Sequence, residues 1–216
     1  RLGLASLFSA LGWKNRQVTE RDISFSIAPI LNASGRLRTA ELAIELLGTT
    51  QAARAEELAK QLYELNNERK RLGEECYNGV KRYLLEQNDI DNDRILMVAA
   101  PMKNQGVTGI VATRLMLDYC RPVIVLLEDQ GKFLGSARSF KDINIIEALN
   151  HCSECLEKFG GHVGAAGLTM QPGNETLFRK KLREFAGQHI SLEDLQPEWL
   201  IDSELPIEKV DEQFLQ

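Results

Sequence analysis

Residues Gln51 to Glu86 constrain this chain more than any other stretch. They contain no proline, and apolar residues fall at Ala55, Leu58, Leu62, Leu65, Leu72, Cys76, Val80 and Leu84. Steps of three, four and seven residues put all of these on one face of a helix. At 1.5 Å per residue the stretch predicts a rod of roughly 50 Å. Thr50 is its expected N-cap, and Gly73 and Gly79 are the weak points where it would break. A helix so long and so charged on its outer face is expected to bridge two parts of a protein. A solvated surface helix or a coiled-coil arm is the plainer alternative.

The remaining chain must supply what the rod joins. With 44% hydrophobic and 26% charged residues over 216 positions, the balance is that of a globular chain with a real core. Fibrous and disordered classes are excluded. No apolar run approaches the roughly 20 residues of a membrane span, and no signal peptide opens the sequence, so a cytoplasmic protein with no membrane partner is expected. Arg1 stands where a Met would, as expected of a piece of a longer protein. The four cysteines (Cys76, Cys120, Cys152, Cys155) are sparse and irregular, which suits a reducing compartment.

Charge is unevenly spread. The total is −5, but Gly187 to Gln216 carries eight acids against Lys209 alone, leaving +2 on Arg1 to Ala186. A uniformly basic nucleic-acid coat is excluded; a polyanion partner for the body is not.

Around the rod, Leu2 to Leu11 reads as a short helix, Thr19 to Ser26 as mixed polar chain, and Arg38 to Leu47 as a helix ended by Gly48. Beyond Asp93 the pattern alternates. Arg94 to Ala100 and Pro122 to Leu127 read as buried strands, with a helix over Val107 to Tyr119 between them. Asp129-Gln130-Gly131 is a hairpin turn leading into a strand over Lys132 to Ser139. A helix over Ile143 to Phe159, broken by Gly160-Gly161, a strand over Ala165 to Met170 and a helix over Glu175 to Ala186 complete the set. The fold class is α/β: a mixed sheet with helices on its faces, preceded by a long helix. Gln188 to Pro197 reads as a linker, and Glu198 to Pro206 as the start of a strand of a further domain.

Four stretches carry candidate chemistry. In Gly135-Ser136-Ala137-Arg138-Ser139, alternation puts Ser136 and Arg138 on one face of a strand, where a hydroxyl and a guanidinium could hold a phosphate or carboxylate. An ordinary edge strand with an exposed arginine fits the same spacing. Gly160-Gly161-His162-Val163-Gly164-Ala165-Ala166-Gly167 leaves bare backbone beside His162, which suits an anion or merely a tight helix-to-strand turn. Asn32-Ala33-Ser34-Gly35-Arg36 places Arg36 at a helix start, tolerable if it faces an anion there, and otherwise a surface residue. Gly106-Val107-Thr108-Gly109, after Asn104 and Gln105, sits at a strand–helix junction and suits either a ligand or close packing. Cys152 and Cys155 lie on an apolar helical stripe and read as structural; no second pair completes a zinc set. No Asp-rich or His-rich cluster is visible. The residues alone describe an anion-binding α/β module with an arm.

Taken together, IAPILNASGRL (Ile27 to Leu37), GVTGIVATRL (Gly106 to Leu115) with RPVIVL, GSARS (Gly135 to Ser139) and FGGHVGAAGLTM (Phe159 to Met170) resemble the RecJ-type single-stranded-DNA exonucleases of the DHH phosphoesterase superfamily. The resemblance runs over nearly the whole chain. It implies four parts: 1–49, the end of a DHH domain; 50–92, the connecting helix; 93–190, a DHH-associated domain; and 191–216, a linker entering an OB fold. It further implies a metal-dependent 5′-to-3′ exonuclease used in DNA repair and recombination, with Mn2+ or Mg2+ bound by DHH-domain residues absent from this chain. Single-stranded DNA is the implied partner, with a single-strand-binding protein as another, and the fragment alone is expected to be inactive. By position, His162 matches a catalytic histidine facing the metals. Ser136, Arg138, Gly160, Gly161, Arg36 and Asn32 match substrate-binding positions. Asn104 stands where the family usually has histidine, which removes a possible charge from that loop. The competing readings are a related phosphodiesterase acting on short RNA or cyclic dinucleotides, and a non-catalytic module that docks or dimerises through Leu62 and Leu65.

Overall fold

The computed structural model describes residues 1–13, 16–102 and 104–207. Its axis is the predicted rod, observed as one unbroken helix α5 (Ala52–Gln87). Gly73 and Gly79 interrupt nothing. Gln51, in extended conformation, is the N-cap rather than Thr50, and the Thr49 hydroxyl accepts its backbone N–H at 3.2 Å.

The N-terminal half of α5 is packed by helices. These are α1 (Leu2–Ala10), α3 (Ala28–Leu37) and α4 (Glu41–Gly48), with a short α2 (Glu20–Asp22) ahead of α3. Leu7, Ile27, Ile30 and Leu46 close on Leu58, Ala59 and Leu62 of the rod. Leu62 and Leu65 are therefore buried inside the chain, and they are not the exposed seam that an arm dimerising through them requires. The stretch over Thr19 to Ser26, expected to be irregular, is helical. Thr19 and Asp22 form a reciprocal capping box, and a π-helical turn (Ile23–Ile27) feeds directly into α3. Arg36 consequently lies in the last turn of a helix, not at a helix start. A cation is favourable there, because the carbonyl end of the dipole is negative.

The C-terminal half of α5 lies on a five-stranded sheet. The strands are β1 (Leu96–Ala99), β2 (Val123–Asp129), β3 (Lys132–Arg138), β4 (Lys158–His162) and β5 (Ala165–Met170), in the order β1-β2-β3-β5-β4. β1 and β2 are parallel, joined by α6 (Thr108–Tyr119); the other pairs are antiparallel. One face buries Leu96, Val98, Val123 and Val125 against α6 and against Tyr77, Val80 and Leu84 of α5. The other buries Met97, Ile124, Leu126, Ala137, Leu168 and Met170 under α7 (Ile145–His151) and α8 (Glu175–His189). The rod thus contributes to two of the three apolar clusters, so it bridges.

The predicted helix over Ile143 to Phe159 is the main departure. Only Ile145–His151 is α-helical. A 3₁₀ turn (Ser153–Cys155) follows, and Lys158 begins an edge strand. Gly160 and Gly161 therefore sit in β4 and do not form a helix-to-strand turn. The segment Glu198 to Pro206, expected to begin a strand, has no regular structure, and the last acids of the tail fall at 208–216, outside the described residues.

The two sheet edges differ. At β1, Asn88 pairs with both backbone groups of Met97, and Gln87 pairs with both of Ala99, at 2.9 to 3.0 Å. Two side-chain amides thus imitate a neighbouring strand and close an edge that would otherwise recruit another chain.

Candidate nucleic-acid interface

Strand register builds the site. Residues directly opposite one another in a ladder share a face, and adjacent strands are about 4.8 Å apart. Arg138 of β3 pairs with Ala165 of β5, which pairs with His162 of β4. Arg138 and His162 therefore share a transverse row and a face, separated by one strand and roughly 10 Å of backbone. The next row is Ser136, Gly167 and Gly160. This is the α6 face of the sheet, but α6 packs on β2 and β3, and Gly160, Gly167 and His162 stay exposed. A Cβ on Gly160 would meet nothing within 4 Å, and one on Gly167 only the Gly135 carbonyl oxygen at 3.9 Å. The result is a bare shelf with Ser136 and Arg138 at its inner wall and His162 at its outer end. Gly161 alternates to the opposite side. Its φ is +155°, and a Cβ there would lie 2.6 Å from Ala166 Cα, so the position requires glycine.

The half-buried Arg138 is held from behind. Its Nε donates to Thr113 Oγ1 at 3.2 Å and its Nη1 to the Ala137 carbonyl at 2.7 Å. Its Nη2 occupies the space a side chain at Gly109 would need, and Ser136 Oγ is 3.8 Å from that same point. Gly109 is thus glycine because the guanidinium lies against the first turn of α6. Burial lowers the Arg138 pKa, and the charge of Arg36 lowers it further. Arg36 Nη1 donates to the Gly106 carbonyl at 3.3 Å, and a Cβ on Gly106 would overlap the Arg36 carbonyl oxygen. The two glycines of the Gly106-Val107-Thr108-Gly109 turn each admit one arginine. Asn104 shapes this turn, since its Oδ1 accepts the Gly106 N–H at 2.8 Å. Asn32 is exposed one helical turn before Arg36 on the same face of α3.

His162 accepts the Gly164 N–H on Nδ1 at 3.2 Å, so the neutral ring carries its proton on Nε2. Its hairpin is tied to the rest by Ser139 N–H to Gly164 O and Ile145 N–H to Val163 O. Arg69 of α5 was not among the sequence candidates. Its pKa is lowered first by burial and then by Arg36, so it belongs to the same electrostatic cluster. None of Arg36, Arg69 and Arg138 forms an ion pair among the described residues; the salt bridges there involve other cations. Cys152 and Cys155 are buried in the sheet core, and burial pushes the Cys152 thiol up to about 12, which leaves it inert. No three His, Cys, Asp or Glu side chains gather as a metal site among the described residues, so the groups present here do not fit a divalent ion.

The comparisons with known proteins accord with this geometry. The DHHA1 domain family matches residues 92–188. The single-stranded-DNA-specific exonuclease RecJ of Bacillus subtilis (strain 168) is 35% identical over 212 residues, which is 97% of this chain. The chain matches the DHHA1-bearing region of RecJ. It spans only 27% of the length of that relative. RecJ of Escherichia coli (strain K12) is 30% identical over 95% of this chain and 37% of its own. Among solved structures, RecJ of Thermus thermophilus in complex with Mg2+ superposes with a TM-score of 0.75 at 35% identity, covering 87% of this chain and 28% of that one. A structure of exonuclease RecJ bound to manganese gives 0.72 at 34% identity over 89% of this chain and 49% of the other. The fold class and the likeness to RecJ expected from the motifs are thus found, and the cyclic-dinucleotide and non-catalytic readings are not favoured.

Proposed function

We propose that this chain is the phosphate-holding wall of a metal-dependent 5′-to-3′ single-stranded-DNA exonuclease of RecJ type that serves DNA repair and recombination. The single observation that supports it most is the row on the sheet: Arg138, without a carboxylate partner among the described residues, and His162 border the same bare shelf. The relatives named RecJ are single-stranded-DNA-specific, and solved RecJ structures hold Mg2+ or Mn2+. In this reading residues 1–49 close a DHH domain that binds the metals, 50–92 connect, 93–190 form the DHH-associated domain, and 191–216 lead to an OB fold. The reaction is attack of water on phosphorus with release of the 3′ oxygen of the terminal nucleotide, yielding a 5′ mononucleotide. This chain does not activate the water. Ser136 and Arg138 hold the non-bridging phosphate oxygens, and the Nε2–H of His162 donates to phosphate from the other side. Gly160 lets the backbone approach the strand, while Arg36 and Asn32 flank its path. The 216-residue chain by itself binds single strands without cleaving them. No helix among the described residues is long and apolar enough to cross a membrane, and we place the enzyme in the cytoplasm, with a single-strand-binding protein as a partner.

The test is Arg138→Ala in the full-length enzyme with Mn2+. Removing a charge-stabilising donor costs roughly 10²- to 10³-fold in turnover. Undiminished release of mononucleotides from a 5′ end would refute the assignment. Competition between a single-stranded oligonucleotide of about 20 residues and a dinucleotide, read for salt sensitivity, tests the choice of substrate.

A further inference from the structure

We propose that Arg69 and Arg36 form a second phosphate subsite at the junction of α5 with the sheet, so that the nucleic-acid backbone is gripped by the connecting helix as well as by β3. The inference deepens the reading above and rests on it.

The first observation is how Arg69 is held. Its Nε and Nη2 both donate to Asn66 Oδ1, at 3.1 and 3.0 Å, and Asn66 is buried at 4% exposure. An amide oxygen orients a guanidinium without neutralising it, and among the described residues the remaining donors of the fork take no other hydrogen-bond partner. Two other arginines of the rod, Arg54 and Arg71, behave differently, whereas Arg82 lies over the Tyr83 ring and, like Arg69, forms no ion pair among the described residues. Arg54 pairs with Glu45 and Glu57, and Arg71 with Glu75. The positions three and four residues away from Arg69 on the helix are Leu65, Asn66, Leu72 and Gly73, none of them a carboxylate. Arg69 forms no ion pair among the described residues. Its posture is fixed by a buried neutral group, which leaves its charge available.

The second observation is position. α3, which carries Arg36, and α5, which carries Arg69, pack on each other and on the Gln105–Val107 turn, and the Arg36 charge lowers the pKa of both Arg69 and Arg138. The Arg36 backbone and side chain close on Gly106, and beside it a notch of about 550 Å³ is lined by Gly35, Arg36, Asn104 and Gly106. Two guanidiniums thus lie against one glycine-bearing turn, and the helix that carries the third packs on it. Bringing like charges together while desolvating two of them is unfavourable unless an anion is shared. A single phosphate at Arg138 leaves Arg69 unanswered. A polyanion running from the shelf past the Gly106–Gly109 turn to α5 satisfies all three. Guanidinium-to-phosphate contacts read no base, so the subsite is indifferent to sequence.

The experiment uses full-length enzyme, without divalent metal, binding an oligothymidylate single strand across a salt series. Each phosphate contact contributes about 0.7 to the slope of log K against log salt on single strands. Arg69→Gln should lower the slope by about that amount and weaken binding several-fold at low salt. Arg69→Lys, which keeps the charge, should keep the slope. A wild-type slope in Arg69→Gln overturns the subsite. A merely structural role would lower the unfolding temperature of Arg69→Gln and leave the slope untouched, which overturns it equally. If Arg138→Ala changes turnover while Arg69→Gln changes no slope, only the subsite falls. If Arg138→Ala changes neither, the functional reading falls with it.

Discussion

Gly109→Ala separates folding from function at one atom. The new Cβ would lie well under 3.0 Å from Arg138 Nη2 and 3.3 Å from its Cζ. Nothing else comes closer than Ser136 Oγ at 3.8 Å, so only the tip of a flexible side chain is displaced. To restore ordinary contact the guanidinium must retreat by roughly 1 Å, and a misplacement of that size near reacting atoms costs about 10²-fold in rate. Stability moves little. The retreat weakens the bonds to Thr113 Oγ1 and the Ala137 carbonyl, worth about 1 kcal/mol each. Replacing glycine in a helix returns up to about 1 kcal/mol. The remainder is near 1 kcal/mol, or roughly 2 to 4 °C in melting temperature for a protein of this size. The expected result is full-length enzyme that melts almost normally and releases mononucleotides about 100-fold more slowly. Normal turnover would refute the placement of Arg138 against α6; a collapse in melting temperature would show that Gly109 serves packing instead.

Three other outcomes follow from the fold. Gln87→Ala and Asn88→Ala each remove two bonds to β1, so each should cost about 2 kcal/mol in denaturant unfolding; the double variant should associate with rising concentration by light scattering, and a persistently monodisperse double variant would contradict the edge-closing role. Gly161→Ala places a Cβ against Ala166 at a φ of +155° and should destabilise by about 1 to 3 kcal/mol, measured by thermal unfolding. The Asp22 carboxyl is held down to about 2 by Arg16 and by the Thr19 backbone and hydroxyl, below its ordinary 3.8. Its folded-state pKa is depressed, so its stabilisation is present above about pH 4 and fades as pH falls towards 2; the helical signal at Glu20 to Asp22 should titrate in that window in wild type and be flat in Asp22→Asn.

The sequence was most legible where one period ran long. The rod, the buried strands β1 and β2 and the Gln130-Gly131 hairpin were all visible, because each is set by local spacing or by turn chemistry. The stretch after Ile143 misled for a definite reason. Ile145, Leu149 and Cys152 lie on a helix or at its end, and Leu156 and Phe159 continue the helical spacing, yet those two reach the same core from a turn and a strand. Periodicity records burial, and two different backbones buried the same face. The segment Ile23 to Ile27 hid for another reason: a π-helical turn shifts the register, so no 3.6 repeat joins Thr19 to Arg36. At the candidate site, Ser136 and Arg138 could be placed on one face from alternation alone. That His162 shares this face depends on pairing through β5, a register set far away in sequence. Arg69 left no local signal. Only the burial of Asn66, three residues earlier, distinguishes it from the other charged residues of its helix.

Because α5 passes without a break from the helical cluster to the sheet, it also acts as a gear of fixed angular phase. One residue inserted near its middle would rotate the far end by about 100° and advance it by only about 1.5 Å. Seven residues would restore the angle while moving the two ends about 10 Å further apart. The exposed positions of this rod can therefore vary, but its residue count is held, since even a whole pair of added turns would carry Arg69 and the sheet out of reach of each other.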